Sequence, residues 1–450
     1  MVKFKDRERE LNELRDIIES KEFQLVVIYG RRRVGKTELI LQATKQKGRI
    51  YYLAVGQNNL KRFYNKSSSQ YPEIDKLKED YELIFEYLKD KADVVIIDEF
   101  QNMIQEDENI LHLMQSIIDT TLKESGIKLF LVGSSVSMMT SKVLNYKSPL
   151  YGRRTGSIKL QPINFSSFIQ FFPSLSLKER IEIYGFSDGI PYYINRVKPP
   201  FWKWLSQEFT KTTSIFIDEV DFLMRYEFNR PGVYKSILEA IAFGCTTLNE
   251  IKMHIKAKRT DISPYLSNLI DVEMILREVP VLENITSRRG RYFLKDNFLK
   301  FWFRYIYPNL SAIEEGVFRI ESIKQNYSQY LGPIFEDVVK DVIIHTQKLE
   351  FTTIGRWWWK EHEIDLVVLN QLENSITFIE CKWQENVNAE RIFHDLMEKK
   401  NYINWNLNDR EEHFIIFAKS FYKTVSEYDG KNCTCFDLDD IANLLEGSLN

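Results

Sequence analysis

An α/β fold in several parts is what the order of elements predicts, and three observations carry it. Between Gln24 and Ser135, three apolar strands each run into a polar loop, and the first of these loops opens a helix. After Arg230 the pattern changes to three amphipathic helices followed by two strands around a basic turn. From Gly332 onward the order is helix, three strands, helix, strand, then a closing strand and helix. The expected parts are residues 1–162, 163–230, 231–310 and 311–450.

At 450 residues the chain is long enough for roughly three domains. With 44% hydrophobic and 28% charged residues it has the composition of a globular protein with substantial cores. No apolar run approaches the ~20 residues of a membrane span. The N-terminal MVKFKDREREL is charged where a signal peptide would be apolar. Cys245, Cys381, Cys433 and Cys435 form no CxxC pair, which suits a reducing cytoplasm. A net charge of −3 gives no global basic field, so any nucleic-acid contact must rest on a local patch.

The first element, QLVVIYGRRRVGKTELI from Gln24 to Ile40, is a buried strand, a loop and a helix. Its loop fits G-x-x-x-x-G-K-[ST] with Gly30, Gly35, Lys36 and Thr37, and Arg31, Arg32, Arg33 and Val34 between the glycines. Glycines let backbone N–H groups turn inward around phosphates, and the helix offers its positive N-terminus. Lys36 is then the cation for the β- and γ-phosphates, and the Thr37 hydroxyl a ligand for Mg²⁺. Next, KADVVIIDEF delivers Asp98 and Glu99 at a strand end. Asp98 suits the Mg²⁺ hydration shell, and Glu99 the orientation or deprotonation of an attacking water. The strand IKLFLVGSS ends at Ser134 and Ser135, either of which could sense the γ-phosphate. Together these residues imply a nucleoside-triphosphate site.

DREREL, GRRRVGKT, VVIIDEFQ, LVGSSVSMM and PLYGRRTGSIKLQP follow one another as in the archaeal-type ATPase family of the STAND and AAA+-related P-loop proteins, which the front half of the chain resembles. The resemblance implies a five-stranded parallel sheet, a helical lid, and ATP as the nucleotide. It also implies that Arg153 or Arg154 of YGRR contacts the γ-phosphate, in cis or from a neighbouring subunit of a homo-oligomer. GIPYYI, Gly189 to Ile194, resembles the family's lid turn, and its aromatics are expected in the lid core. Arg31, Arg32 and Arg33 are either solvated loop residues or contacts for a partner.

From Asn164 to Arg230 the pattern is helical and aromatic, without an acid or histidine cluster, and it reads as the lid. KSILEAIAFG, TLNEIKMHI and TDISPYLSNLIDVEMI then give three helices, the last with a threonine N-cap. LREVPVLENITSRRGRYFLKD adds two strands, and the set makes a winged helix-turn-helix. Ile251 to Lys300 holds ten Lys and Arg against six Asp and Glu. Lys256, Lys258 and Arg259 precede the third helix, while Arg288, Arg289 and Arg291 sit at the wing tip. That placement suits DNA phosphates, and it suits equally a solvated face or a protein dock. NFLKFWFRYIYPN reads as a buried aromatic linker helix.

In the rear part, Asp365 begins one strand, and Glu380 and Lys382 end the next on one face. Glu336 on the preceding helix can supply a third carboxylate, while Glu363 is a spare acid. Carboxylates on Mg²⁺, or on Mn²⁺ in its stead, with a lysine at the attacking water, are what metal-assisted phosphodiester cleavage needs. The order of elements and the ExK of Glu380, Cys381 and Lys382 resemble the PD-(D/E)xK nuclease superfamily, a restriction-endonuclease-like α/β fold. The family's proline before the aspartate is replaced by Ile364. The expected whole is an α/β P-loop parallel-sheet ATPase with helical lid, a winged helix-turn-helix and a nuclease-like domain. Two functions compete: ATP-licensed, Mg²⁺-dependent DNA cleavage in defence or mobile-element control, and a STAND-type switch that binds DNA or protein partners without cutting.

Overall fold

Residues that alternate along the front strands fall into two separate cores. Leu25, Val27, Val95, Ile97, Leu129 and Leu131 join one cluster, and Val26, Ile28, Val94, Ile96, Phe130 and Val132 the other. Successive strand side chains point to opposite faces, so both faces of this sheet are buried, the condition under which strands pair in parallel. The computed structural model describes residues 7–211, 213–228, 230–257, 261–407, 409–428 and 430–448. The chain forms two units. One is Met1–Pro162 with the short returns Ile190–Tyr192 and Asp271–Glu273; the other is Ile163–Gly189, Tyr193–Ile270 and Met274–Asn450.

The first unit is built on β1 (Gln24–Tyr29), β2 (Arg49–Leu53), β3 (Val94–Asp98), β4 (Lys128–Gly133) and β5 (Gly156–Lys159), in the order β2-β3-β4-β1-β5. Every pair is parallel. β1, β3 and β4 are neighbours whose C-terminal ends lie on one edge, where open α/β sheets take their ligands. The five-stranded parallel sheet is therefore present.

The second unit includes helices Leu177–Ser187, Phe201–Phe209 and Ile215–Glu227. Phe186 sits at their centre, in ring contact with Phe201, Trp204, Phe216, Phe298 and Phe301. The expected linker helix is the helix Asn297–Phe301 and its continuation, and it is buried as expected. Trp302 is fully enclosed, with its indole N–H donating to the Ile217 carbonyl at 2.9 Å. The long helix Glu321–Thr346 is tied to the same core, because the single Tyr330 hydroxyl proton is shared between the carbonyls of Gly185 (2.7 Å) and Asn297 (2.9 Å).

Helices Gly232–Ala242, Leu248–His254 and Ser263–Asp271 follow, with the antiparallel ribbon β6 (Ile275–Glu278) and β7 (Arg291–Leu294). Thr247 and Glu250 form a reciprocal cap on the second helix. The threonine expected to cap the third helix, Thr260, lies outside the described residues, as do Lys258 and Arg259. Asp261 accepts from the backbone N–H of Ser263 there, at 3.0 Å. That helix also stops at Asp271 rather than running on through VEMI, since Ile275 is already paired with Leu294.

The rear sheet uses β8 (Thr353–Trp359), β9 (His362–Asn370), β10 (Ser375–Lys382), β12 (Glu411–Ala418), β14 (Glu427–Tyr428) and β15 (Lys431–Phe436), in the order β14-β15-β12-β10-β9-β8. β8, β9 and β10 are antiparallel, while β10, β12 and β15 are parallel. The small β11 (Val387–Asn388) and β13 (Phe421–Lys423) pair separately. Helix Ala389–Lys399 buries Ala389, Phe393 and Leu396 in the core of this sheet.

All eight tryptophans (202, 204, 302, 357–359, 383 and 405) belong to the second unit. Phe186→Ala should leave a cavity at the centre of its aromatic cluster and cost about 3–5 kcal/mol. Urea unfolding followed by tryptophan fluorescence checks this; a midpoint within error of the unchanged chain would show that the cluster does not hold the unit together.

Candidate functional site

The loop after β1 is shaped by backbone strain. Gly30 has φ 148°, and a Cβ there would lie 2.3 Å from the Leu160 carbonyl oxygen, so only glycine fits. Arg33 (φ 72°) and Gly35 (φ 95°) are left-handed, and helix Lys36–Ala43 starts directly behind them. Lys36 is buried, and its ammonium donates to the carbonyls of Gly30 and Arg31, each at 2.9 Å. Val34 is fully enclosed and Arg31 is buried, while Arg32 and Arg33 are half-buried; the three arginines are not solvated loop residues. The Arg33 guanidinium lies 3.8 Å over the Tyr192 ring, and Pro191 sits 3.8 Å from where a Cβ on Gly35 would be. Of the GIPYYI aromatics, only Tyr193 is lid core as expected, packed on Phe298; Tyr192 serves the loop.

Next to this loop, β3 brings Asp98 and Glu99. Asp98 accepts from the Thr37 hydroxyl (2.6 Å), the Tyr51 hydroxyl (2.9 Å) and the Glu99 backbone N–H (2.9 Å). Burial raises the Asp98 pKa, and the two hydroxyls work against that rise. Glu99 is itself left-handed, φ 53°, in the turn directly after β3. One oxygen of its carboxylate accepts from the Ser134 hydroxyl at 2.5 Å and from the Gln101 side-chain amide. Of the two serines, Ser134 thus reaches the acid, while Ser135 caps the short helix that follows. Tyr51 and Gln101 join the site without having been expected there; Gln101 stands in VVIIDEFQ, whereas nothing local in the sequence points to Tyr51. Thr37 and Asp98, already 2.6 Å apart, are an oxygen pair of the kind Mg²⁺ takes.

Arg153 and Arg154 are not at this edge. β5 runs parallel to β1 with Val26 opposite Gly156, so residues before β5 lie at the starting end of the strands, whereas the loop leaves the finishing end. A contact in cis with the γ-phosphate is therefore excluded by strand direction. Arg153 instead forms a two-pronged ion pair with Asp119 (2.9 and 2.6 Å), and Arg154 lies over Tyr151.

In the second unit, β9 and β10 bring Asp365, Glu380 and Lys382 together. The Lys382 ammonium donates to Asp365 at 3.3 Å and to Glu380 more closely. Lys399, at the end of helix Ala389–Lys399 and not anticipated, donates to the other Glu380 oxygen at 2.7 Å. The backbone N–H of Cys381 donates to Asp365 at 2.8 Å. Burial would raise the Glu380 pKa, but the two lysines hold it down; Asp365 is raised by burial and then by Glu380. Glu336 is raised by burial and then by Asp365, so the three acids feel one another. Glu363 is bound instead to Arg291 at 3.0 Å.

Among the described residues, no three His, Cys, Asp or Glu side chains are gathered closely enough to hold a metal ion as they stand. The expected trio is corrected in that respect, and the reason is Arg356. Its guanidinium binds Glu336 (3.1 Å), Asp337 (2.8 Å) and Glu278 (3.0 Å), drawing Glu336 aside. Arg356 and Lys300 outweigh burial at Asp337 and pull its pKa to about 2. Asp365 and Glu380 still fit a divalent ion by donor chemistry: both are hard oxygen ligands, Glu380 buried and Asp365 partly so, and Asp365 carries a repulsion that a cation would relieve.

Three comparisons bear on the chain. Residues 4–197 match a family described as an ATPase domain predominantly from Archaea, and residues 302–392 match a family of archaeal and bacterial proteins of unknown function. The chain is similar in fold to the Walker-type ATPase of Pyrococcus abyssi, with a TM-score of 0.52 at 22% identity over 67% of this chain and 96% of that one. It is 48% identical to an uncharacterized protein of Methanocaldococcus jannaschii across 98% of this chain and 100% of that protein. No helix among the described residues is long and apolar enough to cross a membrane. With a phosphate loop, two strand-end acids and a parallel sheet in the region of the family match, the chain belongs to the same family as the Methanocaldococcus jannaschii protein, and its front part is an archaeal-type ATPase domain.

Proposed function

We propose that this ATPase governs a metal-dependent nuclease-like site in its own rear part, with DNA as the partner. The observation that carries the reading is the cluster in which Lys382 bridges the partly buried Asp365 and the buried Glu380 on adjacent strands. The arrangement of β8 to β15 suits a restriction-endonuclease-like core, and the three helices with the β6–β7 ribbon suit a winged helix.

In the front site, Lys36 would exchange its two loop carbonyls for phosphate oxygens, while Thr37 and Asp98 would hold Mg²⁺. Glu99, fixed through Ser134 and Gln101, is the group to orient the attacking water and take its proton. Strand direction favours a neighbouring copy as the source of the arginine, with Arg153 and Arg154 facing that copy's site. In the rear site, Asp365 and Glu380 would hold Mg²⁺ or Mn²⁺, with Glu336 joining them. A bound ion there supplies charge neutralisation and a more acidic water. Lys382 remains to steady the nucleophile or the developing negative charge.

Lys36→Ala should abolish ATP turnover, and Glu99→Gln should bind ATP yet turn it over roughly 10²–10⁴-fold more slowly. Steady-state hydrolysis with a nucleotide-binding assay tests both, and turnover at the original rate in either variant would overturn its assignment.

If the arginine comes from a neighbour, mixing Lys36→Ala chains with Arg153→Ala/Arg154→Ala chains should restore turnover above that of either alone, and specific activity should rise with protein concentration. No recovery at any mixing ratio would reject the arrangement.

Asp365→Ala and Glu380→Ala should each lose Mn²⁺ binding and plasmid nicking, while Lys382→Ala should lose nicking but keep Mn²⁺, all with ATP turnover intact. Because burial and neighbouring acids raise the Asp365 and Glu336 pKa values, protons compete with the ion, so Mn²⁺ affinity should rise with pH across the neutral range. Calorimetric titration and gel assays read these outcomes. A chain that neither nicks DNA nor binds metal here would be a switch that only binds its partners.

A further inference from the structure

One groove in the second unit stands apart by its charge. It is a cavity of about 580 Å³ between the β6–β7 ribbon, the start of helix Leu248–His254 and the end of β8. Five cations line it (Arg277, Arg288, Arg289, Arg291 and Lys360), and no carboxylate does. The contrast is local: a second cavity, of about 390 Å³, is lined by four acids and four cations, and the whole chain carries −3. A concave surface of one sign in an acidic chain concentrates ligands of the opposite sign.

The cations are also held in position. The Arg289 guanidinium lies 3.8 Å over the Trp359 ring, and that of Arg291 lies 4.7 Å over Trp358. The Trp358 indole N–H donates to the Arg289 carbonyl at 3.1 Å, fixing the backbone that carries both arginines. Arg277 donates to the carbonyls of Ile285 (2.8 Å) and Ser287, which closes the loop between β6 and β7. The carboxylates nearest by, Glu283 on Arg289 (2.6 Å) and Glu363 on Arg291 (3.0 Å), make solvent-reached pairs of the kind that contribute little. A phosphate can replace either one. Glu363 pairs across to Trp358 and stands two residues before Asp365 on β9, hence on the same face and about 7 Å along the strand. Trp358 of the groove wall is therefore one strand pairing and two residues from Asp365.

We propose that this groove seats the DNA backbone, with Arg288, Arg289 and Lys360 on phosphates and Trp358 and Trp359 as positioning residues for Arg289 and Arg291. The bound strand is thereby led past Asp365 and Glu380. The proposal deepens, and rests on, the reading of the rear site as one that acts on DNA.

The test uses the full chain carrying Asp365→Asn, in chelator, and follows fluorescein-labelled duplex and single-stranded DNA by anisotropy over a range of salt. Adding Arg288→Ala, Arg289→Ala and Lys360→Ala together should weaken binding at least about tenfold. The slope of log affinity against log salt should fall by about 3, near one for each phosphate that the protein no longer neutralises. Trp359→Leu should weaken binding several-fold and Trp359→Phe should restore it, because a ring face returns beneath Arg289. ATP turnover serves as the folding control. Affinity and salt slope unchanged in the triple variant would overturn the proposal, as would failure of both DNA forms to bind the parent chain. DNA that is held through the groove but never cut by the wild-type chain with Mn²⁺ supports the groove and rejects the nuclease reading.

Discussion

A charge removed from water must find a partner, and that requirement organises both candidate sites. In the front unit, Lys36 is enclosed and stabilised by two carbonyl dipoles, Asp98 by two hydroxyls, and Glu99 by Ser134 and Gln101. In the rear, Glu380 lies between Lys382 and Lys399, and Arg356 gathers Glu278, Glu336 and Asp337. Uncompensated, the buried ones among them, Lys36, Asp98 and Glu380, would each cost several kcal/mol or give up their charge. The strained loop residues persist for the same reason, since the turn at Glu99 is held by what its side chain reaches.

Both sites are thus complete in themselves before any ligand arrives. On the proposed reading, binding there would be an exchange of partners: phosphate oxygens for loop carbonyls at Lys36, and an ion for ammonium groups at Glu380. Such exchanges leave modest net gains, because the group already had a partner. Selectivity follows, since a ligand must match the departing interactions in number and sign. Arg356 would add a further condition to that reading: its guanidinium holds Glu336 together with Glu278 and Asp337, and Glu336 could join an ion only by leaving that pairing.

What the sequence disclosed was local. Gly30, Lys36 and Thr37 sit on one strand–loop–helix, and Asp98 and Glu99 on one strand end, so spacing alone exposes them. Partners that arrive through tertiary contact left no such trace. Tyr51 lies 47 residues from Asp98, Lys399 lies 19 from Glu380 and Arg356 lies 20 from Glu336. YGRR was legible as a motif, but its place was not: only the parallel pairing of β5 with β1 puts it at the far end of the strands. Nothing local in the RWWW segment points to its part in the groove, because which faces its tryptophans turn, and toward which arginines, depends on the ribbon made 60 to 80 residues earlier.

The strand order of the first sheet also sets a schedule for synthesis. β1 carries the phosphate loop, yet its two neighbours are β4 and β5, and the last of its pairings joins Tyr29 to Lys159. While a ribosome adds about 5–20 residues per second, on the order of ten seconds pass between the emergence of β1 and that of its final partner. During that interval an apolar strand with two open edges waits in the nascent chain, a species prone to sticking to others like it. Helices that precede β4 can shield its faces in the meantime, but not its backbone. Nucleotide binding is therefore a late acquisition of the growing chain.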